Sequence, residues 1–294
     1  MKHKKQHWVP QTYLEAWCDL DVPEGYGKYV WLFPVNGGAG RNKAPRNIFH
    51  ETDMYTIDGK DGVRILTLEH GLSGLESKFS KVREKILRKQ ILAEEERLVI
   101  LAFIAATFSR TKQQRDHLKD QWGELADLGQ SMKNGILKAS PEHREKMASV
   151  GRLTSDGKKG LSLSEVKEIA NQPMQKMLYI SIKVQLELFL PMNLSFLCTE
   201  NSPGFITSDA PCVWFDPEAY KKPAFYRSPG IADRNIEITL PLSPNIMALL
   251  SWRSFDTYIN LDGKDLDNLN RRTRAHADEY IVVNCNYLNE TWFD

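Results

Sequence analysis

Residues 186–198 read LELFLPMNLSFLC, and the pattern of the chain changes inside this stretch. The part before Pro191 is predicted as the end of a helix that Ser164 and Glu165 begin, because a proline cannot continue a helix. After Pro191 the apolar residues occur in short runs separated by turn residues, at 194–198, 204–207, 236–240 and 246–250. Such runs are typical of β-strands. The chain therefore passes from helices to strands at this point.

Two more helices are predicted on the N-terminal side of this junction. Over about 68–88 an apolar residue recurs every three or four positions, at Leu68, Leu72, Leu75, Phe79, Val82 and Ile86. A second helix begins at about residue 94, where three consecutive glutamates suit the positive end of the helix dipole. Its apolar positions continue weakly through Leu118 and Leu125, which predicts either one long helix or a broken one. Residues 139–162 are predicted as a polar loop.

Strands flank these helices on both sides. At the start we predict a short helix over 10–17, a strand over 29–33 and a hairpin of 53–57 with 63–66. At the end we predict a helix from 261 to about 277 and a strand over 280–284. This order favours an α+β fold, with a central helical block packed on or inserted into a largely antiparallel sheet. We expect one large domain over 1–294, with sub-blocks at 1–67, 68–190 and 191–294.

The composition excludes several classes of protein. A hydrophobic fraction of 41% argues against intrinsic disorder. Lys and Arg number 39 against 38 Asp and Glu, so a surface coated with positive charge is not expected, although this balance still allows a local basic cleft. Only four cysteines in 294 residues predict reduced thiols, and the absence of a C-x-x-C pair predicts no structural zinc. No apolar run of seven or more residues follows the basic start, as a signal peptide requires, and no apolar run is long enough for a membrane span, so we expect a cytoplasmic protein.

Five segments in order resemble a known family, the domain of unknown function 4238. They are residues 6–14 (QHWVPQTYL), the spaced glutamates Glu69 and Glu76, residues 109–111 (SRT), residues 205–211 (FITSDAP) and residues 241–244 (PLSP). The resemblance covers nearly the whole chain. One departure is Ala210, where a polar residue is expected before the proline. The resemblance brings no activity with it: it names the family and no reaction.

His7 is the first candidate catalytic residue. It lies just before Pro10 and a predicted helix start, where the partial positive charge of the helix lowers the pKa of an imidazole. A neutral imidazole is a competent general base. The alternative is a packing histidine whose ring nitrogens bond to nearby backbone.

Asp209 and Ser208 are candidates because they follow a predicted strand, where a loop is held by a rigid sheet. Asp209 has three open interpretations: it binds a metal, it orients His7, or it forms a turn with nearby backbone. We expect Asp209 and His7 to line one pocket. Ser208 is a weak nucleophile candidate, because its surroundings lack the glycines of a nucleophile elbow.

Glu69 and Glu76 are seven residues apart, which places both on nearly one face of a helix. Together with Asp209 they are predicted to hold a divalent cation, Mg²⁺ or Mn²⁺; the alternative is a solvated pair. Arg110 offers a planar fork of donors that fits a phosphate, and a buried salt bridge to one of these glutamates explains it equally well.

Our leading hypothesis from these residues is a hydrolase that cuts phosphodiester bonds in nucleic acid, in a bacterial defence setting. His7 is the base, Asp209 with Glu69 or Glu76 holds the metal, and Arg110 steadies the phosphate. The chain has no G-x-G-x-x-G and no P-loop, so no nucleotide cofactor is expected. A second basic cluster, at 271–274, is either a contact for a phosphate backbone or a solvated helix face. The alternative function is a non-catalytic module that binds a nucleotide or a peptide.

Overall fold

The computed structural model describes residues 5–19, 22, 25, 27–59, 62–146, 160–226, 230 and 233–293. Its helices are α1 (Gln11–Leu14), α2 (Thr67–Leu87), α3 (Glu94–Ser109), α4 (Lys112–Lys138), α5 (Leu163–Asn171), α6 (Pro173–Phe189) and α7 (Gly263–His276). A 3₁₀ turn, Glu15–Trp17, extends α1, and residues 141–146 are also helical. Of the predicted loop at 139–162, residues 147–159 lie outside the described residues.

The strands are short and come from both ends of the chain. They are β1 (Lys5–His7), β2 (Val30–Pro34), β3 (Arg41–Lys43), β4 (His50–Thr52), β5 (Ile57–Asp58), β6 (Arg64–Ile65), β7 (Asn193–Cys198), β8 (Thr207–Ser208), β9 (Val213–Phe215), β10 (Glu237–Ser243), β11 (Ile246–Ser251), β12 (Tyr258–Asn260) and β13 (Tyr280–Val283). A five-stranded sheet has the order β12-β7-β11-β10-β9, and a four-stranded sheet has the order β3-β2-β13-β8. Two-stranded pairs join β1 with β4 and β5 with β6.

The α+β fold class is confirmed, and the strand pairing is mostly antiparallel, with β12 and β7 parallel. The strands form two main sheets, where the sequence pattern led us to expect one. In the four-stranded sheet β2 pairs with β13, so that Trp31 lies opposite Val283 and Pro34 opposite Tyr280. Segments 1–67 and 191–294 therefore contribute to the same sheet.

Two of the predicted helices are each divided by a local signal. The helix that begins at Glu94 ends at Ser109, and α4 restarts after Thr111, whose hydroxyl accepts a hydrogen bond from the Gln114 amide as an N-cap. The predicted helix over 164–189 is two helices, α5 and α6. Ser162 and Glu165 form the capping box of α5, and Pro173 begins α6, where a missing amide hydrogen costs nothing.

The hydrophobic core holds the first segment of the chain against the sheets. Phe79 of α2 stacks on Phe103 of α3 with ring centroids 3.6 Å apart. The fully buried Tyr13 shares a 2.7 Å hydrogen bond with the Thr207 hydroxyl, and the Trp17 indole donates to the Phe205 carbonyl at 2.8 Å. These bonds satisfy the polar atoms of two buried aromatic side chains and fix the position of α1.

No helix within the described ranges is both long enough and apolar enough to cross a membrane.

Candidate functional site

A polar pocket of about 370 Å³ opens beside the first strand of the chain. Four of the residues predicted from the sequence line it, namely His7, Glu69, Glu76 and Arg110. We call this cavity the His7 pocket. It is also lined by residues from β1, α1, α2 and the turn after β4: Lys5, Gln6, Gln11, Thr12, Glu15, Tyr55, Leu72 and Ser73.

The fold brings these residues together from distant parts of the chain. The pairing of β1 with β4 places His7 opposite His50 and fixes the direction of the first strand. Helix α2 presents Glu69 and Glu76 on one face, about two turns apart. Arg110 comes directly after the last turn of α3. The pocket therefore depends on the tertiary structure rather than on one local motif.

Arg110 is the buried cation of the pocket, with 1% of its surface exposed. Its Nη1 donates to Glu76 Oε1 at 2.7 Å, so the predicted salt bridge to a glutamate is present. Its Nε and Nη2 make no hydrogen bond with any described residue, and neither does the buried hydroxyl of Thr12. Buried donors without partners cost free energy, so these atoms are expected to bond to water or to a small polar ligand.

His7 is held as a neutral imidazole. Its Nε2 lies 3.3 Å from the Arg46 carbonyl, which only accepts hydrogen bonds, and its Nδ1 lies 3.3 Å from the Gln11 amide nitrogen, which only donates them. The two partners therefore place the proton on Nε2 and the lone pair on Nδ1. Burial, followed by the nearby His50, lowers the pKa of His7 from 6.5 to about 4.

Gln6 and Tyr55 make hydrogen bonds to the residues and backbone around Glu69, His7 and Arg110. The Gln6 Oε1 accepts from the Tyr55 amide at 2.6 Å, and its Nε2 donates to Glu69 Oε2 at 2.9 Å. The Tyr55 hydroxyl lies 3.4 Å from the His7 carbonyl and 3.3 Å from the Arg110 carbonyl. Burial raises the pKa of Tyr55, so its hydroxyl stays protonated as a donor.

Gln6 and Gln11 lie in the motif quoted above, but their amide side chains gave no reason to assign them a role. Tyr55 had no signal in the sequence at all.

Asp209 lies elsewhere, in a second cavity of about 260 Å³ that Trp8, Phe49 and Tyr280 also line. The expected shared pocket of His7 and Asp209 is therefore wrong. The Asp209 carboxylate accepts three backbone hydrogen bonds, from Asp278 at 2.9 Å, Glu279 at 2.7 Å and Tyr280 at 3.0 Å. Burial raises the pKa of this carboxyl, and the three backbone amides oppose that rise.

Ser208 is also part of this second region. Its side chain is fully buried and its Oγ accepts a 3.2 Å hydrogen bond from the Ala210 amide. The hydroxyl thus closes a local turn. The turn interpretation concerns Asp209, whose carboxylate instead accepts from the amides of residues 278–280, which lie just before and at the start of β13.

The predicted metal ligands do not come together. Glu69 is bonded to Gln6, Glu76 is paired with Arg110, and Asp209 belongs to the other cavity. Within the part of the chain that the structure describes, no group of three or more His, Cys, Asp and Glu is placed to hold a metal ion. The three predicted ligands therefore do not fit a shared cation, and no chemical step is routed through one below.

The three arginines of the basic cluster on α7 bond to other parts of the chain. Arg271 donates to the Thr291 carbonyl, Arg272 pairs with Glu237 at 2.7 Å, and Arg274 donates to the Val35 carbonyl. All four cysteines are unpaired: Cys18, Cys198 and Cys212 are buried, and Cys285 is half-buried.

Comparison with known proteins gives a family match and nothing closer. The family model described as "Protein of unknown function (DUF4238)" matches residues 5–285, which is nearly the whole chain. No curated protein and no solved structure matches the chain. The matched range includes every residue of the His7 pocket. The chain belongs to the DUF4238 family.

Proposed function

We propose that this chain is a hydrolase that cleaves phosphodiester bonds of nucleic acid in the His7 pocket. One observation carries the proposal: a neutral imidazole and a buried guanidinium with unpartnered nitrogens line the same cavity. A base that accepts a proton and a cation that binds a phosphate oxygen both accelerate phosphate ester hydrolysis.

His7 acts as the general base in this proposal. Because the Arg46 carbonyl holds the proton on Nε2, the lone pair of Nδ1 is directed toward Gln11. A water molecule that replaces the Gln11 amide at Nδ1 gives its proton to the imidazole as its oxygen attacks the phosphorus. The bond from phosphorus to the leaving oxygen breaks, and the imidazolium returns its proton to that oxygen or to solvent.

Arg110 binds the phosphate. Glu76 occupies Nη1 and fixes the plane of the guanidinium, and Nε and Nη2 are left as a pair of adjacent donors. Two parallel donors match two oxygens of a phosphate, and the interaction is strong because the site is buried. The role of Glu76 is to hold Arg110 in position, and Gln6 does the same for Glu69.

The test is cleavage of labelled single- and double-stranded DNA and RNA by the purified chain, with magnesium, with manganese and with a chelator. We expect cleavage by the wild type, loss of cleavage in His7→Ala and Arg110→Lys, and retained cleavage in His117→Ala, an exposed histidine of α4. Wild-type protein that is inert on every substrate would contradict the proposal.

The second candidate function is the binding module, and one observation favours it. Both ring nitrogens of His7 already have partners within the protein, as in a histidine that is built into a recognition site. A chain that binds a nucleotide or peptide in this pocket without turnover, and loses that binding in Arg110→Lys, would support this second function. Calorimetric titration with mononucleotides and short peptides decides between the two.

A further inference from the structure

A second open cavity, of about 480 Å³, continues from the His7 pocket. Gln11 and Glu15 line both cavities, so the two meet at α1 and the 3₁₀ turn that extends it. The far side of this cavity is formed by residues just before β2, by β3 and by the turn that follows it, and it includes Lys28, Tyr29, Asn42 and Arg46. We name this cavity the Arg46 groove.

Two residues join the groove directly to His7. Arg46 lines the groove, and its carbonyl oxygen lies 3.3 Å from Nε2 of His7. Gln11 lines both cavities, and its side-chain amide lies 3.3 Å from Nδ1 of His7. A chain molecule with one phosphate beside His7 therefore finds the Arg46 groove as the continuation of its path.

The charges of the two cavities differ in sign. With His7 neutral, the charged residues that line the pocket give it one net negative charge: Lys5, Arg110, Glu15, Glu69 and Glu76. The groove has two cations, Lys28 and Arg46, against one acid, Glu15. Both cations are exposed, and neither forms an ion pair with another described residue. Contacts to phosphates supply much of the affinity for nucleic acid, so the groove is where further phosphates are expected.

We infer that the Arg46 groove binds the flanking phosphates of a single-stranded nucleic acid whose scissile phosphate lies in the His7 pocket. This inference rests on the proposed function of that pocket. The strand is single because Arg110 is only 1% exposed, so a phosphate has to enter the cavity to reach it. Duplex DNA is stiff over about 150 base pairs and does not bend one phosphate inward, whereas a single strand does.

Tyr29 gives the groove a surface for a base. Its side chain is half-buried and lines the groove beside Lys28. Every base has a face that stacks on an aromatic ring, so stacking adds affinity without sequence preference. An acidic peptide would match the two cations equally well, but acidic side chains have no such face. Tyr29 therefore favours nucleic acid over an acidic peptide as the occupant.

The test is fluorescence anisotropy of a labelled single strand of about 12 deoxythymidines, titrated at several salt concentrations. The protein carries His7→Ala, so that binding is measured apart from cleavage. Adding Lys28→Ala and Arg46→Ala should reduce the slope of log affinity against log salt by roughly 1.4, because each phosphate contact on a single strand contributes about 0.7. The matched control is Lys119→Ala with Lys133→Ala, two exposed lysines of α4, which should leave the slope unchanged.

Two further variants separate charge from stacking. Lys28→Arg with Arg46→Lys keeps both charges and should keep the slope. Tyr29→Ala should weaken binding by about fivefold or more and leave the slope unchanged, because stacking releases no counterions. With His7 restored, Lys28→Ala with Arg46→Ala should raise KM for cleavage of the strand and leave kcat unchanged.

The binding and cleavage measurements fail separately. Wild-type protein that cuts no substrate contradicts the proposed function, and the anisotropy still decides whether the groove binds a strand. Equal salt slopes for the groove variant and the α4 control, equal affinity for a duplex of the same length, or equal displacement by a glutamate peptide of that length would each overturn the inference.

Discussion

The His7 pocket and the turn at Asp209 are both built from polar residues of the family motifs, yet they differ in how their polar atoms are used. In the pocket, Arg110 keeps two buried nitrogens without a described partner, and His7 keeps its lone pair beside an exchangeable amide. At the turn, the Asp209 carboxylate already accepts three backbone amides.

Under the proposed function, this difference separates a site that binds a substrate from a site that stabilises the fold. A group whose hydrogen bonds are all made by the protein stabilises the fold and has nothing left for a substrate. A group with remaining capacity is poorly optimised for stability, which is typical of functional positions. Substitutions in the His7 pocket should therefore lower activity with little change in stability. Substitutions at Asp209 should lower stability with little change in activity.

The largest expected effect is on activity in the pocket. His7→Ala should lower phosphodiester cleavage by about 10²–10⁴-fold, because general base catalysis contributes that much. The melting temperature should change by only a few degrees, since His7 is half-buried and makes two long hydrogen bonds. Cleavage rates and thermal melting on the same preparations measure both. A collapse of the melting temperature would place His7 with the structural residues.

The next effect is on stability at the turn. Asp209→Asn replaces one carboxylate oxygen by a donor facing backbone amides, and should cost roughly 1–3 kcal/mol in the free energy of unfolding. Cleavage by the folded fraction should be unchanged. Asp278→Asn is the control, since that carboxylate is exposed and should shift stability by less than about 0.5 kcal/mol. If Asp209→Asn and Asp278→Asn unfolded at the same urea concentration, Asp209 would not stabilise the fold in the way that we expect.

A smaller effect comes from the titration of His7. Its pKa is lowered from 6.5 to about 4, so the unfolded chain binds this proton more readily than the folded chain between those values. His7 therefore lowers the free energy of unfolding as the pH falls through this window. The melting temperature of the wild type should fall more between pH 7 and 4.5 than that of His7→Gln.

Under the proposed function, the same shift in the pKa of His7 sets the acid limit of cleavage. Cleavage should persist well below pH 6 and decline near pH 4, because the neutral imidazole is the active form. A decline centred near pH 6.5, together with parallel melting curves for wild type and His7→Gln, would show that His7 is solvated like an ordinary histidine.

The smallest expected effect belongs to Gln11. Gln11→Ala removes the amide beside Nδ1 of His7 and should change stability by less than about 0.5 kcal/mol, because the contact is at the surface. The cleavage rate should change by less than about tenfold. A loss of cleavage as large as that in His7→Ala would show that Gln11 also takes part in the reaction.

The helices were predicted well where their periodicity was strong. Helix α2 begins and ends within one residue of its apolar pattern, and that is why Glu69 and Glu76 fall in one pocket. Strands β1 and β4 were not predicted, because three residues of mostly polar side chains carry no alternation.

The contacts that define the two regions join residues that are far apart in sequence, and local sequence patterns cannot predict them. Gln6 bonds to the Tyr55 amide 49 residues away, and Asp209 bonds to amides about 70 residues away. Propensity and spacing act over a few turns of chain, so they identify candidate residues and leave their partners open. The chemical roles of His7 and Arg110 stay predictions until the variants are measured.

The Tyr55 hydroxyl links the two sides of the His7 pocket in one further respect. A hydroxyl has a single hydrogen, and here it faces the carbonyls of both His7 and Arg110 at nearly equal distance. This hydrogen can be donated fully to only one of the two carbonyls at a time. The segment that carries His7 and the segment that carries Arg110 therefore compete for the same donor, the Tyr55 hydroxyl.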